Sequence, residues 1–226
     1  DLLRYEFITT VTHKFRTPLT QIRWATDSLS KNQLSQENNE QITYIKSANS
    51  KLIELTNLLV SISEVESNVF EYRLERTNLK GLISEVLTFI DTSIINKKIA
   101  IENAFEADAF SKCDATRIKF VIQTLIENAV NYTPAEGKVT ISLYEKGDRV
   151  FFLVKDSGIG IPKNEQQLVF SKFYRGNTAR TTDTEGMGIG LFISKEIITR
   201  HKGKIWAESE GAGMGSTFGF SLPKAE

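Results

Sequence analysis

The chain of 226 residues carries 28 Lys plus Arg against 28 Asp plus Glu, with 40% apolar residues. Zero net charge excludes a general polyanion binder, and so a nucleic-acid partner, while leaving room for one local anion site. The single cysteine, Cys113, excludes an intrachain disulfide or thiolate metal cluster, and no apolar run reaches the roughly 20 residues of a membrane helix.

Residues 1–67 contain no Gly and one Pro, and all 14 Gly lie later. That composition favours continuous helix, because Gly costs a helix interior about 1 kcal/mol relative to Ala. Ile8, Val11, Phe15, Ile22, Ala25 and Leu29 recur at alternating steps of three and four, with Pro18 in the vacant place. This is a heptad seam. After a polar break at 30–39 the rhythm returns as Ile45, Ala48, Leu52, Leu55, Leu59 and Ile62. The spacing predicts an antiparallel helical hairpin over 1–67, each helix about 45 Å long at 1.5 Å per residue. One hairpin covers its two stripes poorly, so a homodimer forming a four-helix bundle is expected. A monomeric hairpin lying against the rest of the chain is the alternative.

Residues 68–76 read as a linker and 77–226 as a second domain. Asn78 precedes Leu79, Leu82, Ile83, Val86 and Leu87, and Asp114 precedes Ile118, Val121, Ile122, Leu125 and Ile126, two capped amphipathic helices. Segments 138–144 and 149–155 read as paired strands around a Lys146-Gly147-Asp148 turn. A helix over 189–200 and strands at 204–208 and 217–222 follow. Helices and strands mixed without a regular strand-helix-strand repeat predict an α+β sandwich, one mixed sheet with helices on one face.

His13 falls at heptad position f, away from the seam, where an imidazole is available as a nucleophile or phosphate acceptor. An ordinary surface histidine is the plain alternative. Later come Glu127-Asn128-Ala129-Val130-Asn131-Tyr132-Thr133, Asp156-Ser157-Gly158-Ile159-Gly160-Ile161-Pro162 and Phe170-Ser171-Lys172-Phe173-Tyr174-Arg175. Gly186-Met187-Gly188-Ile189-Gly190-Leu191 and Gly213-Met214-Gly215-Ser216-Thr217 complete the series. Each alone is commonplace, since glycine-rich turns arise by chance.

In this order, behind a hairpin carrying Thr12-His13-Lys14-Phe15-Arg16-Thr17-Pro18, they resemble the H, N, G1, F, G2 and G3 boxes of two-component sensor histidine kinases. The resemblance implies a Bergerat-type ATP-binding domain and a phosphoryl group passing from ATP to His13, then to an Asp of a response-regulator receiver domain. It implies that Asn128 helps hold Mg²⁺ through its carbonyl oxygen, and that Asn131 and Tyr132 contact the nucleotide. By the same resemblance Asp156 is expected to accept a hydrogen bond from the adenine amino group, in a loop with Gly158, Gly160 and Ile161. The resemblance also implies that Lys172, Phe173, Tyr174 and Arg175 stand at the root of a lid, and that Gly186, Gly188, Ile189, Gly190 and Leu191 open a helix whose amides receive phosphates. Thr217 belongs to the last turn. By the same resemblance, and because Asp1 is no initiator Met, the chain is expected to be the cytoplasmic portion of a membrane-anchored bacterial sensor.

Three positions depart from that pattern. Lys14 stands where an acidic residue usually follows the histidine, and an ammonium there cannot accept the imidazole proton. Thr17, one turn after His13, matches the residue with which phosphatase-competent members position water. An ATP-binding adaptor or a phosphatase-biased regulator are therefore the alternatives to an active kinase. Thr124 replaces an Asn, and Asn131 a cation for which Lys172 and Arg175 are the candidate substitutes. His201 is expected to cap a helix end and complement its dipole, Trp24 and Trp206 to pack, and Cys113 to be buried.

Overall fold

The computed structural model describes residues 2–29, 41–46, 48, 49, 52, 56, 72–105, 107–182 and 187–225. The chain divides into two compact units, Asp1–Phe70 and Glu71–Glu226.

In the first unit helix α1, Leu2–Leu29, runs unbroken past Pro18. Phe15, Pro18, Ile22, Ala25 and Leu29 are half-buried or buried, whereas Arg16, Thr17, Leu19, Thr20, Arg23 and Thr26 are exposed, which is the heptad seam in three dimensions. The side chains of Ile8, Val11 and His13 lie outside the described residues. Residues 41–46 are also helical, and Ile45, Ala48 and Leu52 face inward. Leu55, Leu59 and Ile62 lie outside the described residues. Trp24 corrects the expectation of packing: two residues past Ile22 it stands off the seam and is 75% exposed.

In the second unit strand β1, Glu75–Asn78, leads into α2, Leu79–Lys97, then β2, Ala100–Phe105, and β3, Phe110–Cys113. Helix α3, Ala115–Tyr132, is followed by the hairpin of β4, Lys138–Lys146, and β5, Arg149–Asp156. The short α4, Asn177–Thr182, precedes α5, Gly190–Arg200, and strands β6, Lys204–Glu208, and β7, Ser216–Pro223. The main sheet has the order β2-β4-β5-β7-β6, and β1 pairs with β3 in a separate ribbon. Glu75 and Arg76, expected in the linker, thus form the start of a paired strand. Only β2 and β4 run parallel, which makes the sheet mixed.

Alternation sorts the faces. Val139, Ile141 and Leu143, Val150, Phe152 and Val154, and Phe220 and Leu222 are essentially buried, as are Ile118, Val121, Ile122, Leu125 and Ile126 of α3 and Ile193 and Ile198 of α5. Each such side chain contributes about 1.5–3 kcal/mol relative to exposure. The opposite face holds Tyr144 stacked on Phe151 at 5.3 Å between ring centroids, and Trp206 lying over Gly219. The second unit is therefore the expected α+β sandwich, one mixed sheet with helices packed on one face. Cys113 is fully buried, and burial pushes its thiol up to about 11.

The Asp114 carboxylate caps α3 by accepting from the Arg117 amide at 3.1 Å. His201 Nδ1 bonds the Ile197 carbonyl at 2.8 Å while its Nε2 accepts from the Asp114 amide at 3.0 Å. That pairing requires the proton on Nδ1, so the ring caps α5 as a neutral donor and does not complement the dipole as a cation. Burial lowers its pKa in agreement.

Candidate functional site

Asp156 ends β5 and is 5% exposed. Its Oδ1 accepts from the Gly158 amide at 2.8 Å and the Ser216 amide at 3.2 Å, and its Oδ2 from the Ser216 hydroxyl at 2.5 Å. Burial raises its pKa, and the Ser216 and Gly158 donors oppose that rise. A carboxylate held this way still offers lone pairs to an incoming N–H donor. Register explains the partner: Asp156 pairs with Ser216 across β5 and β7, so the pleat turns Ser216 toward the carboxylate. Thr217, the residue expected from the motif, pairs with Lys155 and Glu208 and belongs to the opposite face. Ser216, which the motif reading passed over in favour of Thr217, is thus the residue bonded to Asp156, and the cross-strand register identifies it.

The loop after Asp156 presses against the end of α3. A Cβ on Gly158 would lie 2.4 Å from the Tyr132 carbonyl and 2.7 Å from Asp156 Oδ1, so no side chain fits. The Ile159 amide donates to the same Tyr132 carbonyl at 3.2 Å. Gly160 and Ile161 are buried, and the Ile161 amide donates to Ser209 Oγ at 3.0 Å.

Thr124, Asn128, Asn131 and Tyr132 follow one face of α3 at helical spacing. Asn128 and Tyr132 are half-buried and Asn131 is exposed. Among the described residues the Asn128 amide has no hydrogen-bond partner, which leaves its carbonyl oxygen available to a hard cation or its NH₂ to an anion. At the far end of this face, Thr124 Cγ2 lies 3.0 Å from where a Gly190 Cβ would stand, so Thr124 packs on the first residue of α5. No side chain caps the N-terminus of α5 among the described residues, and Ile189 before it is buried. Its amides, including that of half-buried Leu191, retain the positive end of the helix dipole. From Thr124 to Tyr132 the face spans about 12 Å at 1.5 Å per residue.

Gly188 has φ of 68°, and its carbonyl accepts from the Phe173 amide at 2.9 Å. A Cβ there would meet the Tyr174 carbonyl at 2.7 Å, so this contact between the two segments requires glycine. Lys172 Nζ stands 5.1 Å from the Phe173 ring centroid and 5.8 Å from that of Phe192. Arg175 Nη2 donates to the Ala179 carbonyl at 3.1 Å. Burial raises the Tyr174 phenol, as does Glu165 beside it. Gly186 lies outside the described residues. In the first unit, half-buried Lys14 follows His13 on α1, and exposed Thr17 lies one turn beyond.

Known proteins share this layout. The family described as Histidine kinase-, DNA gyrase B-, and HSP90-like ATPase matches residues 113–226, and that described as His Kinase A (phospho-acceptor) domain matches residues 3–68. The chain is 33% identical over 232 residues to the sensor histidine kinase WalK of Bacillus subtilis, covering 100% of this chain and 38% of that protein. It is 31% identical over 231 residues to the circadian input-output histidine kinase CikA of Synechococcus elongatus, covering 97% of this chain and 30% of that one. The chain thus spans about a third of the length of these relatives. The solved catalytic domain of histidine kinase ThkA is 33% identical with a TM-score of 0.60, covering 69% of this chain and 97% of that one. ThkA solved in complex with response regulator protein TrrA is 29% identical with a TM-score of 0.64, covering 97% of this chain and 61% of that one.

Proposed function

The chain belongs to the two-component sensor histidine kinases, and on that premise we propose that it binds ATP along α3, phosphorylates His13 and passes the phosphoryl group to an Asp of a response regulator. One observation carries the reading. A single face of α3, about 12 Å long from Tyr132 to Thr124, meets the loop of the buried Asp156 carboxylate at one end and the uncapped N-terminus of α5 at the other. A ligand with a donor-bearing ring at one end and anionic groups at the other fits those two ends, and a nucleotide is such a ligand.

Asp156 selects a base carrying an exocyclic N–H, because the carboxylate only accepts. Ser216 and the Gly158 amide favour its ionised form. Mg²⁺ supplies charge neutralisation for the triphosphate, and Asn128 is the residue that would hold it. An imidazole nitrogen of His13 attacks the γ-phosphorus, the bond from that phosphorus to the oxygen bridging to the β-phosphate breaks, ADP leaves with that oxygen, and the other ring nitrogen loses its proton to solvent. Lys172 and Arg175 are the cations of the F segment, and the α5 amides the neutral donors.

The heptad seam supports a homodimer. So does the exposure of Leu19, Trp24, Ile42 and Tyr44, at 53%, 75%, 41% and 59%, on a unit that one chain leaves uncovered. Incubation with Mg²⁺ and γ-labelled ATP tests the kinase: acid-labile, alkali-stable label absent from His13→Ala and transferable to a receiver domain is the expected result. A second reading follows from Lys14, which cannot take the imidazole proton while charged. It predicts ATP binding with little label, label restored in Lys14→Glu, and Thr17-dependent dephosphorylation of the partner regulator.

A further inference from the structure

The segment that Asp156 opens, residues 156–161, is bonded along its length to the 209–216 turn between β6 and β7. The Gly158 carbonyl accepts from the Gly215 amide at 3.1 Å, and the Ile159 carbonyl from the Gly213 amide at 2.6 Å. A Cβ on Gly160 would lie 2.0 Å from the Gly211 carbonyl, so here the two segments touch through backbone alone. One side chain ties the turn to both flanks of the carboxylate. Ser209 Oγ accepts from the Ile161 amide at 3.0 Å and the Gly211 amide at 3.3 Å, and it stands 2.6 Å from the Gly215 carbonyl and 3.1 Å from that of Gly211. Gln166 Nε2 donates to the Ser209 carbonyl at 2.6 Å and so holds the residue in place.

A hydroxyl has one proton, and the shorter contact takes it, so Ser209 donates to the Gly215 carbonyl. In a planar trans peptide the carbonyl and the following N–H point opposite ways. Pinning the Gly215 carbonyl therefore aims the Ser216 amide, which donates to Asp156 Oδ1 at 3.2 Å. Hydrogen bonds in such a chain also polarise one another. Asp156 is sensitive to that, since burial raises its pKa and the Ser216 amide is among the donors that oppose the rise. Closing the turn is not what needs the hydroxyl, because the Met214 amide already donates to the Gly211 carbonyl at 3.2 Å.

We infer that Ser209 is a positioning residue for base recognition: its hydroxyl fixes the peptide between Gly215 and Ser216, and the Ile161 amide, so that Asp156 presents one fixed acceptor to the exocyclic amino group of a purine. This rests on the nucleotide-binding reading above, which sets the ring end of the ligand at the Asp156 loop. The Ser209 proton is taken by the Gly215 carbonyl, so the residue acts through Asp156 and not on the base.

The test is a pair of dissociation constants measured by calorimetry with the full 226-residue chain. One is for ADP and the other for inosine diphosphate, in which a carbonyl oxygen replaces the exocyclic amino group and sets an acceptor against the carboxylate. Wild type is expected to prefer ADP about a hundredfold. Ser209→Ala is expected to lower that preference about tenfold, weakening ADP while leaving the inosine nucleotide within about twofold. Ser209→Thr, which keeps the hydroxyl, is expected to hold the preference within about threefold of wild type. An equal loss for both nucleotides overturns the proposal, because a loosened turn ignores which group the base carries. An unchanged preference overturns it too, as does a Thr variant that behaves like Ala. Should the Ala variant fail to fold, Ser209→Cys decides, since a thiol fills the same place but donates weakly: the preference must fall at least about threefold, and an unchanged one overturns the inference. Asp156→Ala separates the two levels. If wild type binds neither nucleotide, or Asp156→Ala keeps the wild-type preference, the nucleotide reading fails and takes this inference with it. If the preference is lost in Asp156→Ala but kept in the Ser209 variants, this inference alone fails.

Discussion

The two units hold their chemistry in opposite ways. In α1 the residues His13, Lys14 and Thr17 lie within five positions of one another on a single helix. In the second unit Asp156, Ser216, Gly158 and Tyr132 come from two strands, a loop and a helix, and each is fixed by a hydrogen bond or a close approach to another. Chemistry carried on one helix needs only its pitch to bring the residues together. Chemistry placed by convergence cannot be changed without touching stability, because the same bonds serve the fold and the site.

Substitutions of graded severity sharpen that contrast. His13→Ala is expected to abolish phosphoryl labelling while thermal unfolding moves by less than about 0.5 kcal/mol, the usual range for a substitution off the packing, as heptad position f in the sequence implies. A large loss of stability would show that the histidine belongs to the packing. Asp156→Ala should weaken ATP at least about a hundredfold by calorimetry, the scale of losing a charged acceptor. Stability is expected to fall as well, since the Gly158 amide and the Ser216 amide and hydroxyl lose their acceptor, while the burial penalty on the carboxylate offsets part of that loss. Sign matters here. A folded pKa above the unfolded one means that ionised Asp156 opposes folding as pH rises through the folded value, and the Ala variant escapes that cost.

Gly158→Ala sits between site and fold. A methyl at 2.4 Å from the Tyr132 carbonyl forces the loop off α3, so about 2 kcal/mol of stability and nucleotide affinity should fall together. Unchanged affinity with lowered stability would break the claim that the two are coupled. The smallest effect belongs to His201. Its pKa is lowered by burial, so the native state binds this proton more weakly than the unfolded chain. The stability it lends is present above the unfolded value near 6.5 and is lost as pH falls from there toward the folded pKa. Melting curves should show stability declining over that interval, as the Asp114 amide loses its acceptor. Melting that is flat with pH, or that rises toward acid, contradicts the assigned tautomer.

Much of the fold was legible in the chain. The seam from Phe15 to Leu29, the Asp114 cap and the 138–155 hairpin all follow from local period and local chemistry. The strands at 75–78, 100–105 and 110–113 left no such trace. β2 is a mostly exposed edge strand in parallel pairing, and β1 and β3 are four residues each, too short for alternation to register. Trp24 misled because aromatic bulk suggests burial, while its place two residues past Ile22 puts it outside the stripe.

By itself the sequence determined where α1, α2, α3 and α5 run, that the chain divides in two, and which short segments are spaced like nucleotide-binding boxes. Those are properties of residues near one another along the chain, where pitch, capping and glycine content act directly. Tertiary structure alone decided which side chain completes each box. Ser216 rather than Thr217 faces Asp156 because strand register pairs residues 60 positions apart. Lys97 closes the end of α3 from 33 positions away, and Thr124 packs on Gly190 because two helices happen to meet there. Partners so distant in sequence leave no local signature, since nothing in their own neighbourhoods constrains them; only the folded sheet and the helices packed on it bring them within reach.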